Sequence, residues 1–238
     1  MRCVLNYQKM REDTKNDYYS NRLSAQKLWQ VYEIAPPRIQ QYLEAELNHV
    51  LQAIQPGDLV LEMGCGYGRV ITSLTQKARW VVGIDTSYVS ISFGREMLSN
   101  VKNHVLIQMD AIQLAFCDQT FDKVVCIQNG ISAFHVNQRN LIQESIRVTK
   151  PGGLVLFSSY SDRFWKDRLA WFQMQSDAGL LGEIDYGKTR DGIIVCRDGF
   201  TATTVPRSQF QALTVGFDVD VQIIEVDDSS LFCVITVR

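Results

Sequence analysis

Between residues 59 and 158 five short apolar runs recur, at Leu59 to Met63, Trp80 to Ile84, Val105 to Met109, Lys123 to Gln128 and Leu154 to Ser158, each separated from the next by a segment of helical character. A strand that is apolar on both faces must be covered on both. This alternation therefore calls for a parallel sheet with helices packed on each side. At 238 residues, with 46% of them hydrophobic and 21% charged, the chain has enough apolar surface for one sizeable core,. A single domain over 1–238 is expected.

The flanks read differently. Residues 17 to 55 are rich in Leu, Ala, Glu and Gln, with Leu43, Leu47, Val50, Leu51 and Ile54 at helical spacing,. Pro36-Pro37 divides this stretch into two predicted helices, and Gln55-Pro56-Gly57-Asp58 ends the second. Lys150-Pro151-Gly152-Gly153 suits a type II turn leading into the fifth strand, because Gly tolerates positive φ. Ser161 to Ala178 reads as a helix with Trp165, Leu169 and Phe172 on one face, and 179 to 192 as loop. Beyond it, Arg197-Asp198-Gly199 between Ile193 to Cys196 and Phe200 to Thr203 predicts a short hairpin. A second hairpin is predicted for Val219 to Val226 and Leu231 to Val237. The expected division is a helical lid over 1–55, a core over 56–160, an insertion over 161–204, and a helix with antiparallel strands over 205–238.

The densest local signal is Val60-Leu61-Glu62-Met63-Gly64-Cys65-Gly66-Tyr67-Gly68-Arg69, an apolar strand running into a glycine turn and then a helix predicted to begin near Gly68. Such a turn lets backbone amides approach a ligand at a helix N-terminus. Asp85 follows at the end of the second strand, where a carboxylate accepts hydrogen bonds from ribose hydroxyls. It could equally cap the next helix through Thr86 or Ser87. A dinucleotide fingerprint needs a third glycine where this chain has Arg69, which counts against a nicotinamide-dependent oxidoreductase.

Gly64-x-Gly66-x-Gly68 preceded by Glu62 resembles the first motif of class I S-adenosylmethionine-dependent methyltransferases, and the resemblance extends in order over about residues 40 to 238. Gln108-Met109-Asp110-Ala111 is similar to that family's adenine site, Phe121 to Asn129 to its fourth strand, and Lys150 to Leu154 to the turn before its fifth. The resemblance implies a Rossmann-like, doubly wound, seven-stranded α/β sheet, mostly parallel, with an antiparallel C-terminal hairpin and a helical N-terminal lid. It implies S-adenosyl-L-methionine as cofactor, with Glu62, Gly64, Cys65, Gly66, Gly68, Asp85, Thr86, Asp110, Ala111 and Gln128 at its site. Asp110 could instead be a turn residue. The Cys65 side chain is read as structural, since no activating base is apparent.

Methyl transfer is an in-line displacement that alignment alone can promote, so no catalytic residue is obligatory. On the acceptor side the candidates are Tyr18, Tyr19, Arg22, Tyr32, Arg38, Asn129, Tyr160, Trp165 and Tyr186, with His135 as a candidate general base; each could also be a packing or surface residue. The Asn/Asp-Pro-Pro-Tyr/Phe motif of amino-nitrogen methylation is absent at Gln128-Asn129-Gly130-Ile131. A net charge of -2 and pI near 5.9 disfavour nucleic acid,. A small-molecule acceptor remains. Six cysteines and three histidines form no zinc pattern, so no metal is predicted, and the cysteines are expected to be reduced,. The charged start without an apolar stretch, and the lack of any run of eighteen apolar residues, predict a cytoplasmic chain that neither crosses nor binds membrane. The rival reading is a non-catalytic module that keeps the fold and serves binding or regulation.

Overall fold

The structure is a computed structural model and describes residues 18–238. The charged start, Cys3 and the first seventeen residues of the expected lid lie outside the described residues. The lid begins with α1 (Tyr18–Asn21), α2 (Gln26–Glu33) and α3 (Pro37–Ala53). Three helices thus stand where two were predicted, because the chain also breaks at Ala25, whose φ of 49° is left-handed. Pro36 is extended and Pro37 opens α3, the position where a missing N–H costs least,.

The core follows as β1 (Leu59–Met63), α4 (Ile71–Thr75), β2 (Trp80–Asp85), α5 (Tyr88–Met97), β3 (His104–Gln108), β4 (Phe121–Cys126), α6 (Gly130–Ala133), α7 (Gln138–Val148) and β5 (Thr149–Tyr160). After a 3-10 turn come α8 (Trp165–Asp177), a two-stranded hairpin of β6 (Ile194–Val195) and β7 (Thr201–Ala202), α9 (Arg207–Thr214), β8 (Val219–Val226) and β9 (Ser230–Val237). The seven-stranded sheet has the order β3-β2-β1-β4-β5-β9-β8, parallel except where β9 pairs antiparallel with β5 and β8. This is the predicted doubly wound architecture. Strand order reverses between β1 and β4, so a crevice opens at the C-terminal ends of those strands.

Alternate strand residues feed two cores. Leu61, Met63, Val124, Cys126, Val155 and Phe157 meet Leu141 and Ile142 of α7 and Phe210 of α9 on one face. Val60, Val81, Val125 and Leu156 meet Val50 of α3, Ile71 and Leu74 of α4 and Ile91 of α5 on the other. A third cluster lies above the sheet edge and joins the lid to the insertion, with Val31, Ile39, Tyr42, Tyr160, Phe164, Trp171 and Phe200 at its centre.

Three local expectations need correction. The helix after the glycine turn begins at Ile71, because Gly68 has φ +82° and the chain turns through 66–70 before it can wind. The strand β5 already pairs at Thr149, with Phe121 opposite Thr149 and Lys123 opposite Leu154, so the Pro-Gly-Gly segment is a bulge within the strand,. Gly152 supplies the positive φ, +76°. Finally, α8 buries Arg168, Trp171, Phe172 and Gln175, while Trp165 and Leu169 flank that face, because the lid covers the helix from a different side than an apolar count suggests.

Candidate functional site

The turn after β1 is fastened to β2 first by backbone: the N–H groups of Gly64 and Cys65 both donate to the Ile84 carbonyl, at 2.8 and 2.9 Å. One residue on, Gly66 N–H donates to Asp85 Oδ2 at 2.9 Å, and Ser87 N–H donates to Asp85 Oδ1 at 2.8 Å. Ser87 itself caps α5, accepting from Ser90 N–H. Asp85 therefore ties the glycine turn to the start of α5. A carboxylate oxygen has two lone pairs, so accepting from one amide does not by itself exhaust it. One carboxylate thus serves both the glycine turn and the start of α5.

Thr86 and Asp110 lie along the same edge, where β2 and β3 end in register at Asp85 and Gln108. The Gln108 side chain donates to the Thr86 carbonyl at 2.9 Å. Asp110 Oδ1 accepts from Ile112 N–H at 3.0 Å, which orders the turn and leaves an exposed carboxylate; Ala111 beside it is buried.

Beneath α2 the turn encloses a cavity of about 40 Å³, whose lining includes Leu28, Tyr32, Glu62, Gly64, Gly66, Arg69 and Gln128. A Cβ at Gly64 would lie 2.5 Å from the Phe134 ring, and one at Gly66 would lie 2.9 Å from Leu28 Cδ2. Only glycine lets the backbone line this space. The polar content is unbalanced: Glu62 Oε2 and Arg69 Nε and Nη2 are buried with no hydrogen-bond partner among the described residues. Arg69 stacks on the Tyr32 ring, 4.6 Å from its centroid, and Tyr32 Oη donates to Gln128 Oε1 at 2.8 Å. Burial pushes the Glu62 carboxyl up to about 8, against the pull of Arg69 and helped by the charge of Asp85. Burial likewise pushes the Cys65 thiol well up, so it is neutral at pH 7 and packs rather than attacks,.

Most acceptor-side candidates turn out to hold the lid and insertion together. Tyr18 Oη donates to Asp198 Oδ2 at 2.7 Å, and Arg22 pairs with the same oxygen at 3.4 Å. Tyr18 and Tyr19 both set ring edges against Phe200. Arg38 clamps the β8–β9 turn through Asp227 at 2.7 Å and lies over Phe164. Asn129, left-handed at φ 62°, donates to the Thr203 carbonyl and accepts from Ser159 Oγ, so its side chain is consumed by structure. Tyr186 is exposed and donates to Gln173. His135 sits on an exposed left-handed turn after α6 and lines neither this cavity nor the one beside α8. Tyr160 is buried against Tyr42, Phe164 and Arg168. Of the group, Tyr32 lines the turn cavity, and Trp165 lines a larger cavity of about 310 Å³ beside α8.

Sequence reasoning passed over two buried charges. Glu46, fully buried, accepts from Gln128 N–H at 2.8 Å and from the Ser230 hydroxyl. Arg168 is 1% exposed. Both had a signal: each interrupts an apolar helical stripe, Glu46 between Leu43 and Val50 and Arg168 between Phe164 and Phe172. Among the described residues no three His, Cys, Asp or Glu side chains converge on one point, and no helix is long and apolar enough to cross a membrane.

Residues 60–153 match a family model described as a methyltransferase domain. The demethylmenaquinone methyltransferase of Thermobifida fusca is 35% identical over 107 residues, covering 44% of this chain and 44% of that protein. A fatty-acid O-methyltransferase of Mycolicibacterium smegmatis is 32% identical over 133 residues, covering 54% and 46%. The chain spans about half the length of the curated relatives it matches. Among solved structures, the PH0226 protein from Pyrococcus horikoshii OT3 superposes with TM-score 0.64 at 20% identity, over 94% of this chain and 99% of that one. The N-methyltransferase NodS from Bradyrhizobium japonicum WM9, in complex with S-adenosyl-L-homocysteine, gives 0.62 at 15% identity, over 93% and 98%. At these identities the two structures speak for the fold.

Proposed function

We propose that this chain is a class I S-adenosylmethionine-dependent methyltransferase and that it transfers a methyl group from S-adenosylmethionine to a small-molecule acceptor, a reading supported by the methyltransferase-domain match and the methyltransferase relatives. The observation that carries the proposal is the unbalanced polar lining of the turn cavity. Glu62 Oε2 and Arg69 Nε and Nη2 are buried there with no hydrogen-bond partner among the described residues, an expensive arrangement unless a ligand with both an ammonium and a carboxylate completes it,. The cofactor's methionine end is such a zwitterion, and the bare glycine turn with Asp85 alongside suits its nucleoside end. The residues present fit that group.

When bound, the cofactor supplies a methyl carbon made electrophilic by its sulfonium, with a neutral thioether as leaving group. Asp85 would hold the ribose while remaining bonded to Gly66 and Ser87, which fixes its orientation before ligand arrives. Asp110 and Ala111 would border the adenine, and Gln128 the methionine end. Glu62, Arg69 and Gln128 would hold the methionine end so that the methyl group would face an acceptor lone pair, with the acceptor's proton passing to solvent. Nothing in that arrangement requires a protein nucleophile; the chain's contribution is alignment and exclusion of water.

A cavity of about 40 Å³ is far below the several hundred Å³ of an ordinary small-molecule site,. Cofactor entry therefore requires α2 to withdraw, carrying Leu28 and Tyr32 away from the turn, and the Pro36-Pro37 junction is the natural hinge,. The acceptors for which the two relatives are named differ from one another, and the regions of this chain that would select an acceptor lie outside residues 60–153.

Titration calorimetry with S-adenosylmethionine and S-adenosylhomocysteine, followed by a transfer screen over amines, thiols, carboxylates and hydroxyls, tests the proposal. Binding of both cofactor forms and label appearing in an acceptor is the expected result. Failure of both to bind at high micromolar concentration would overturn it, and tight binding without transfer to any acceptor would favour a non-catalytic module.

A further inference from the structure

The guanidinium of Arg168 lies at the wall of the cavity beside α8, whose lining is completed by Ser161, Asp162, Trp165, Asp191, Gly192 and Thr204. Its surroundings are aromatic: Tyr160 at 4.4 Å, Phe172 at 5.5 Å and Trp165 at 5.8 Å from ring centroid to guanidinium carbon. Nη1 donates to the Gly192 carbonyl at 3.2 Å and Nη2 to the Ala202 carbonyl at 3.1 Å. Those bonds use two of five N–H groups. Nε is buried with no partner, and among the described residues no carboxylate stands within ion-pair distance,. A cation taken out of water, oriented by two carbonyls and given no protein anion is costly by itself and becomes favourable when an anionic ligand enters.

We propose that this cavity is the acceptor pocket and that Arg168 anchors a carboxylate of the acceptor, a statement that rests on the methyltransferase reading and names the substrate class it leaves open. Nη1, bonded to the carbonyl of Gly192 in the cavity lining, keeps a second N–H for a carboxylate oxygen,. Asp162 and Asp191 on the same lining repel a second negative charge, so a monoanion is favoured over a phosphate,. Trp165 offers a flat apolar wall for the body of the molecule. About 310 Å³ is the size of a small-molecule site,. The cavity also stands close to the reaction end of the sheet: Thr204 lines it, and the adjacent Thr203 is held by the Asn129 amide and the Ser132 hydroxyl. Gln128, one residue from Asn129, lines the turn cavity. The two cavities thus flank one corner of the chain. The anchored carboxylate is the handle and not the methylated atom, because pairing with a guanidinium withdraws the electron density that attack on the methyl would need.

The test uses the full chain saturated with S-adenosylhomocysteine and benzoate as probe, with benzamide as its uncharged match, both titrated by calorimetry and ligand-observed NMR. Saturable benzoate binding at least about tenfold tighter than benzamide is expected, with loss of that preference in Arg168→Gln and retention of part of it in Arg168→Lys. Should Arg168→Gln fail to fold, Asp191→Asn decides: removal of an exposed negative charge at the pocket should tighten benzoate by about twofold and leave benzamide unchanged. Equal affinity for benzoate and benzamide, or no saturable binding of either while S-adenosylhomocysteine binds, overturns the pocket and leaves the cofactor reading standing. Charge-selective benzoate binding in a protein that binds no S-adenosylhomocysteine does the reverse.

Discussion

The rim of the crevice, formed by residues 62–69 and 85–87, and the cap above it, formed by α1, α2, α8 and the β6–β7 hairpin, are held by different kinds of bond. In the rim the fixing contacts are backbone amides: Gly64 and Cys65 to Ile84, Gly66 and Ser87 to Asp85. The cap is held by side chains that reach across most of the chain, Tyr18 to Asp198, Arg22 to the same carboxylate, and Trp171 Nε1 to the Val31 carbonyl at 3.3 Å. A backbone-built rim tolerates few substitutions because each residue's conformation is specified. A side-chain-built cap can be rebuilt with other residues, so acceptor choice can change while cofactor geometry stays.

The rim should show the steepest pH response. Glu62 has an ordinary value of 4.5 and is pushed to about 8 by burial, so the folded state prefers the protonated form. Below pH 4.5 that preference is satisfied in both states. As pH rises towards 8 the unfolded chain ionises while the native one does not, and stability falls, by on the order of 3 kcal/mol across the interval. Denaturant midpoints between pH 5 and 8 should decline in the native sequence and decline less in Glu62→Gln, the remainder coming from Glu46, which burial also pushes up; parallel curves would disprove the assignment. Cofactor binding at pH 7 should release a proton, seen as a buffer-dependent heat.

Gly64→Ala comes next. The left-handed φ of +73° costs a residue with Cβ about 1–2 kcal/mol, and the added atom meets the Phe134 ring at 2.5 Å,. A total loss of about 2–3 kcal/mol, or roughly 5–10 °C in melting temperature, is expected together with a large loss of S-adenosylhomocysteine affinity. Adding Phe134→Leu should return the steric part and not the conformational part. A double variant no more stable than the single one would refute that division.

Asp85→Ala should weaken cofactor binding by at least about tenfold and, because two amides lose their acceptor, destabilise the free protein by about 1–2 kcal/mol,. Unchanged affinity by calorimetry would remove the ribose assignment. The cap supplies the contrast: Arg22→Ala, at a 3.4 Å pair whose arginine is mostly exposed, should cost under about 0.5 kcal/mol by thermal melting,. A loss comparable to that of Asp85→Ala would mean that the cap is specified as tightly as the rim.

The same contrast explains which features could be read in advance. Strands β1, β2, β4 and β5 were legible because a strand buried on both faces is continuously apolar, and the glycine turn because positive φ leaves few alternatives to glycine. Asp85 was legible from its place at a strand end, with its capping through Ser87 as the other reading, although its bond from the Gly66 amide was not. The cap defeated prediction because Asp198, which engages Tyr18 and Arg22, and Asp227, which engages Arg38, lie far along the chain and carry no local mark of their partners. Arg22 and Arg38 therefore looked like pocket residues. Arg168 carried a mark, a charge on an apolar helical stripe, that points to burial without naming the partner of that charge.

Glu46 determines where this fold can be cut and rejoined. Because its two oxygens receive the Gln128 amide from the end of β4 and the Ser230 hydroxyl from the start of β9, α3 belongs to the sheet even though it comes after the lid helices in sequence. A chimera that imported a foreign lid together with its third helix would leave both donors facing whatever replaced the acid. The seam for exchanging the lid helices between relatives lies instead at Pro36-Pro37, where Pro36 is extended and α3 is only starting. The lid helices α1 and α2 would have to be exchanged together with their partners Asp198, Trp171 and Gln128, whereas α3, with Glu46, and the sheet it is bonded to are inherited as one block.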